Sequence, residues 1–499
     1  MISFNNVPDT LRTPGAYLEI DNSRALQGLF ANPHKALIVG QKISGGTAPA
    51  ETVLSITSDG LADGFFGPGS VLARMCNIFK KNNPNTELKA IALDDAGAAV
   101  KASATIQFSI ALSATGFSMS GTEVFNLLLG GIKCYTTLNS GWSTTDANSA
   151  VVANVNADST LPVIASTNIA SALNLIAVNA GTLGNAIDIR ENYYAGESSP
   201  VNFGDSATIT DMAGGLTDPD LEDAWAVIGE EQFHYICQPY TDATNLKSIE
   251  DLLEERYGPL VDLQGHGFTA ANKSLADSST LGNSRNSPHN TIMSAYESPT
   301  TAEEWAAALS AIAGFNLNQD PARPLHYLKL KGILAPTEGD RFIKSERNIL
   351  LYDGIATWIT DTVGNVLIER CATTYQTNAA GVPDASYLDI QTLATLAEIR
   401  YQYKARMLTR FIIPRFKLAN NDFPIQPGTN VANPGTVKDE TVALFTLLRE
   451  KGLIENLDEF ITNLIIERDS GDKNRVNVLL PPDLVNQFRI LAGLIQFIL

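Results

Sequence analysis

Between Lys35 and Asp95 the chain alternates apolar runs with a helical stripe, and that rhythm predicts a strand-helix-strand unit. KALIVGQKI (35–43) is a nearly continuous apolar run of strand length, GSVLARMCNIFKKN (69–82) repeats at helical spacing, and ELKAIALDD (87–95) reads as a second strand. The same alternation returns from Asp218 to Leu334. There DPDLEDAWAVIG, NLKSIEDLLEERYG and TAEEWAAALSAIAGFNL predict helices, the last with Thr301 as cap, while QFHYICQPY, GHGFTAAN and NTIMSAYES predict strands. Alternation of this kind points to a parallel α/β sheet, so the second segment completes the core begun at Lys35.

The texture differs between Ala102 and Ile187, where the only charged residues are Glu123, Lys133, Asp146 and Asp158. TIQFSIAL (105–112) puts Ile106, Phe108, Ile110 and Leu112 on one face at period two, IKCYTTL and LNLIAVNAG repeat the strand pattern, and TTDANSAVVANVNAD predicts a helix capped by Asp146. This stretch is a small, mostly-β domain inserted into the core.

Toward the C-terminus, ATWITDTVGNVLIERCATTYQ predicts a hairpin, and Ser386 to Ile412 a long helix with Leu393, Leu396, Ile399 and Tyr403 at helical spacing. A Pro/Asn-rich loop leads to a helix over VKDETVALFTLLREKG, and EFITNLIIERD with RVNVLLPPDLV predicts a β-hairpin across SGDKN. The last segment, NQFRILAGLIQFIL (486–499), has Arg489 as its one charge. As a strand it places Leu491, Ile495, Phe497 and Leu499 on one face and Phe488, Ile490, Leu494 and Ile498 on the other, so both faces call for cover. GAYLEI (15–20) is a strand-like run near the other end, following a segment that Pro8 and Pro14 keep extended, so the N-terminus reads as an arm.

Composition narrows the function. The length of 499 residues fits about three domains, and 44% hydrophobic with 18% charged residues is a globular make-up. Acidic residues outnumber basic ones 54 to 35, giving a net charge of -19 that repels phosphate backbones and argues against nucleic-acid binding. Cys76, Cys134, Cys237 and Cys371 form no CxxC pair, which speaks against a zinc ribbon or a disulfide scaffold and for a reducing compartment. The start has no secretory pattern, and ILAGLIQFIL is too short to span a bilayer.

Candidate chemistry is sparse. There is no GxxxxGK[ST] or GxSxG motif, and the five histidines never fall three or four apart, so neither a P-loop nor a helical zinc pattern is present. His266, between glycines in QGHGF, is the histidine to inspect for a hydrolase, but the favoured reading is a turn between helix and strand. Two basic stretches interrupt the acidic background: Arg400, Lys404, Arg406, Arg410, Arg415 and Lys417, then Arg449 with Lys451. Cations at helix ends complement the helix dipole; the alternative is a docking strip for an acidic partner.

With FNNVPDTLRTPGAYLEIDNSRA at the start, KALIVGQ, GNAIDIRENYY closing the insertion, and DLVNQFRILAGLIQFIL at the end, the chain resembles the tail sheath proteins of contractile-tailed bacteriophages, the Mu-like branch in particular. The resemblance implies a non-catalytic, subtilisin-like α/β core with an inserted mostly-β domain and an α+β C-terminal domain carrying extended terminal arms. Its expected limits are an N-terminal arm at 1–30, core at 31–100 and 211–375, insertion at 101–210, C-terminal assembly domain at 376–485 and arm strand at 486–499.

The implied function is a structural subunit polymerising as stacked hexameric rings around a tail tube and contracting to drive the tube through a host envelope. Alternatives are the sheath of a tailocin or secretion apparatus, and an α/β hydrolase. Implied partners are further copies of the chain, the tube protein, and baseplate and neck or terminator proteins; the location is the virion, after assembly in the bacterial cytoplasm. No catalytic residue, cofactor, metal, nucleic acid or membrane is implied.

By position, the resemblance assigns Tyr17, Leu18, Ile20, Phe488, Ile490, Leu491, Leu494, Ile495, Phe497 and Leu499 to inter-subunit arms. The acceptor strands, Phe460–Glu467 and Arg475–Leu480, contribute Ile461, Leu464, Ile466, Val476, Val478 and Leu480. Arg400, Lys404, Arg406, Arg410, Arg449 and Lys451 are the tube-contact candidates.

Overall fold

The computed structural model describes residues 12–15, 28–58, 60–108, 123–139, 142–169, 172–200, 207–426 and 429–498. Tyr17, Leu18, Ile20, Ile110, Leu112 and Leu499 lie outside them. The chain divides into two compact units, one formed by Pro33–Ala397 with the tail from Asn486, the other by Glu398–Val485 with the N-terminal segment ending at Asn32. This differs from the expected boundaries at 31 and 376. Reciprocal bonds of 2.8 Å between the Phe30 backbone and the Gln402 side chain, with Asn32 donating to Glu398 at 3.0 Å, tie the N-terminal segment to the second unit.

The larger unit is built on an eight-stranded sheet. Its order is Val366–Arg370, Ile355–Thr360, Asn290–Ser294, His266–Ala271, Tyr235–Cys237, Lys35–Gln41, Glu87–Leu93 and Val53–Ser55. The six inner strands pair in parallel and the two edge strands antiparallel. Inner strands are covered on both faces, which is why they are largely apolar and why their polar side chains Thr269, Asn290, Thr291, Ser294 and Thr357 are buried too. On one side lie Phe66, Phe79, Trp305 and Phe268; on the other, Trp225, Phe233, Ile249 and Leu253. The helix Ala302–Gln319, largely apolar on every side, is buried almost throughout.

Beneath it runs a buried ion triad. Arg74 donates to Glu303 at 2.6 Å and to the Thr301 hydroxyl at 2.9 Å, with Glu304 at 3.4 Å. Burial raises the Glu304 carboxyl above its ordinary pKa, against the pull of Arg74. The hydroxyl of Thr301 is therefore committed to Arg74 and Glu304, and makes no cap bond to the helix backbone.

The insertion has its own core, including Phe125, Leu127, Val151 and Leu173, between a four-stranded sheet, a three-stranded sheet and the helix Thr144–Ala157. Ser143, not Asp146, caps that helix; Asp146 closes a capping box from the first turn. Asp95 fastens the insertion to the sheet, accepting from Gln41 at 2.7 Å, Asn179 at 3.0 Å and the Ala180 backbone at 2.9 Å.

Several boundaries differ from the sequence reading. The long helix begins at Ile390 rather than Ser386, stays α-helical to Met407, and ends in a π-turn over Leu408–Ile412. Helices at Leu275–Asn283 and Lys344–Tyr352 were not anticipated. In the smaller unit, Leu457–Asn463 is a helix, so the strand expected from Phe460 starts only at Ile465. The cause is packing: the Phe460 ring stacks on Phe445 of the helix Pro434–Glu450, centroids 3.9 Å apart.

Candidate assembly surfaces

The apolar tail is held at one point. Arg489 reaches Asp389 at 3.1 Å and donates to the Gln391 side-chain oxygen at 3.2 Å. Asp389 also receives both arms of the Arg370 guanidinium at 2.9 Å, so one carboxylate serves two arginines. Beyond this clamp the tail makes no strand pairing among the described residues, and Ile490, Leu491, Leu494, Ile495, Phe497 and Ile498 are 78–100% exposed. Phe488, just before it, is exposed as well. A run of this size open on both faces goes beyond the singly scattered apolar residues of ordinary surface.

The smaller unit carries an unfinished sheet. Ile465–Arg468 pairs antiparallel with Val476–Leu479, Ile465 opposite Leu479 and Ile466 opposite Val478. These strands form a two-stranded sheet, leaving its outer edges without a strand among the described residues. Ile465, Val478 and Leu479 are exposed, Val476, Ile466 and Leu480 half-buried, and Leu464 buried. Ile461, expected on a strand, sits on the helix. An isolated hairpin is marginal in water, and an added strand both pairs an edge and covers apolar side chains.

The basic strip does not behave as a set. Arg406 donates to Glu440, both side chains largely buried, and Arg410 lies 3.4 Å from the same carboxylate but half exposed. Arg406 is thus a structural cation. Arg449 and Lys451 are exposed at the end of the helix Pro434–Glu450, Lys404 is exposed and Arg400 half-buried. Exposed apolar Leu408, Ile412 and Ile413 accompany Arg410 and Arg415 around the π-turn. Asp389 and Glu440, the acidic partners that organise tail and strip, were missed because each lies far along the chain from the arginine it holds.

His266 is buried and bonded to the Thr291 hydroxyl at 2.8 Å, with burial depressing its pKa. The four thiols are buried, and burial raises Cys134 to about 11 and Cys371 to about 12, away from reactive thiolates. No group of three metal-ligating side chains occurs among the described residues.

Comparisons with known proteins agree on one family. A phage tail sheath central-domain model matches residues 214–374, and a phage tail sheath C-terminal-domain model matches residues 382–498. A Mu-like prophage tail sheath protein from Haemophilus influenzae is 37% identical over 498 residues, covering 100% of both chains. Among solved structures, a sheath tail protein from Desulfitobacterium hafniense aligns at TM-score 0.49 and 12% identity, over 95% of this chain and 97% of that one. The contracted helical sheath of the anti-feeding prophage aligns at 0.47 and 9%, over 98% and 99%.

Proposed function

The chain belongs to the phage tail sheath family as a structural subunit of a contractile tail, and on that footing we propose that its tail completes the sheet of a neighbouring copy. The exposed apolar segment after Arg489 supports this reading most directly, because a single copy has both a strand in need of a sheet and a hairpin in need of a strand. Residues 490–498 would lie along an open edge of the Ile465–Leu479 hairpin, each buried apolar side chain contributing about 1.5–3 kcal/mol. Tyr17, Leu18 and Ile20, assigned to the other arm by the family resemblance, lie outside the described residues.

Six copies to a ring, rings stacked on a tube, and a baseplate and terminator at the ends complete the reading. The parallel core with helices on both faces would be a rigid, subtilisin-like body with no catalytic task. Contraction would repack these bodies between two lattices while the anchored tails keep copies joined, so the work comes from interface free energy and needs no nucleotide. Assembly would proceed in the host cytoplasm before packaging into the virion. Arg410, Arg449 and Lys451 are the cations available to an acidic tube surface.

The test is a double substitution, Leu494→Asp with Ile495→Asp, followed by pelleting. Loss of sedimenting polymer with unchanged unfolding of the monomer is expected; undiminished polymer would refute strand donation.

A further inference from the structure

The eight-stranded sheet carries complementary features at its two ends. At the carboxyl end of its inner strands lies a cavity of about 320 Å³ lined by Ser294, Arg341, Phe342, Arg347, Trp358 and Thr360, among others. The carboxyl ends of parallel strands are the usual position of an α/β binding crevice, and this volume is at the small end for one, room for one or two side chains. Arg341 donates to the Pro336 carbonyl and the Thr360 hydroxyl, and no carboxylate pairs with it among the described residues. Ser294 is 2% exposed, yet its hydroxyl has no partner among the described residues. Arg347 is already engaged with Glu369 at 2.8 Å. The cavity is therefore apolar-walled, cationic, and short of one polar partner.

At the amino end, the turn between the helix Ala243–Tyr257 and the strand His266–Ala271 holds the opposite character. Leu260 is 98% exposed and Val261 beside it is exposed too. The turn is firmly built: the Asp262 amide donates to the Gly258 carbonyl and the Leu263 amide to that of Arg256, both at 2.8 Å. Arg256, itself buried, donates to the Gly229 carbonyl at 2.7 Å and to that of Glu231. Glu254 and Glu255, both exposed, lie in the last turn of the helix leading into the tip, and Asp262 follows Val261 directly. Strands of five or six residues separate the two ends by roughly 17–20 Å, so tip and cavity of one copy cannot meet.

We propose that the Leu260–Val261 tip of one copy inserts into the Ser294–Arg341–Trp358 cavity of the next, a head-to-tail contact between cores that is separate from the donated strand. Charge complementarity selects the occupant, because Arg341 lines the cavity and the tip is flanked in sequence by the exposed Glu254 and Glu255 and by Asp262. A contact between different patches is heterologous and propagates into rings or helices instead of closing as a dimer, as a sheath lattice requires. The inference rests on the sheath reading but can fail without it.

The experiment uses full-length Val261→Cys and Ile359→Cys variants, Ile359 being a further residue of the cavity wall and the native thiols all buried, with a short bis-maleimide added to pelleted polymer. A covalent dimer from mixed variants and a ladder from the double variant are expected. Polymer that forms but yields no cross-link overturns the head-to-tail contact alone, whereas failure of the unmodified chain to polymerise overturns the sheath reading and this contact together. If the cysteine variants fail to polymerise, Leu260→Asp decides: a tenfold or greater rise in the concentration needed for pelleting is expected, and unchanged pelleting contradicts the contact.

Discussion

Arg489 and Asp389 meet at 3.1 Å, and this pair is where the exposed tail is fastened to the α/β unit. The sole charge in the last fourteen residues is thus an anchor, placed immediately before the run that is left open. Because Asp389 serves Arg370 as well, its removal strands two guanidinium groups with most of their surface covered.

Asp389→Asn is accordingly expected to cost about 2–3 kcal/mol, at or just below the low end for breaking a buried pair because the groups retain some solvent. Trypsin should then cut after Arg489 several-fold faster than in the unmodified chain. Unchanged cleavage would mean that the pair does not hold the tail.

The basic strip separates into stability and surface. Arg406→Glu places two carboxylates together in a covered position and is expected to lower the stability of its unit by about 3 kcal/mol or more, read from the urea midpoint. Arg410→Glu, half exposed, should change stability by no more than about 1 kcal/mol while reducing co-sedimentation with tubes. Equal effects of the two on stability would refute this division.

Four histidines line the amino edge of the parallel sheet. His34, His234 and His289 each directly precede a strand, and His266 opens one. The His34 and His234 rings stack at 4.0 Å, His34 bonds the Tyr235 hydroxyl at 2.6 Å, and Lys35, Lys89, Glu87 and Glu231 lie alongside. His289 faces Glu254 and Tyr257. Burial lowers His34 to about 4 and His234 to about 2, and lowers His266 and His289 as well.

An unfolded histidine takes its proton near pH 6.5, whereas folded His34 does not until about 4. Between these values the unfolded state binds more protons, so stability falls as pH falls, by up to about 1.4 kcal/mol per pH unit for each such histidine. His34→Gln should reduce the slope of stability between pH 6.5 and 4, measured by urea unfolding at each pH. An identical slope in both proteins would contradict the assignment.

Sequence made the sheet legible where burial is two-sided: Ala36–Val39 is an apolar run, and Phe268–Ala271 is broken only by the buried Thr269, because nothing there faces water. It misled at Phe460 and Ile461, whose local pattern suits a strand but whose helix is imposed by stacking on Phe445, a contact between separate elements. That the tail calls for cover was legible from its two apolar faces. Its anchor was not, since Asp389 lies a hundred residues before Arg489 and only folding brings them together. Likewise the strip around Arg406 showed cations, while Glu440, which neutralises part of it, sits on another helix.

The most direct measurement compares the full-length chain with one ended after Arg489 by negative-stain electron microscopy. That truncation keeps the Asp389 pair and removes only the open segment, so the monomer should unfold as before. Tubes or stacked rings from the full-length chain and discrete monomers from the shortened one are the predicted result. Tubes from both at the same concentration would contradict donation of the tail as the link between copies.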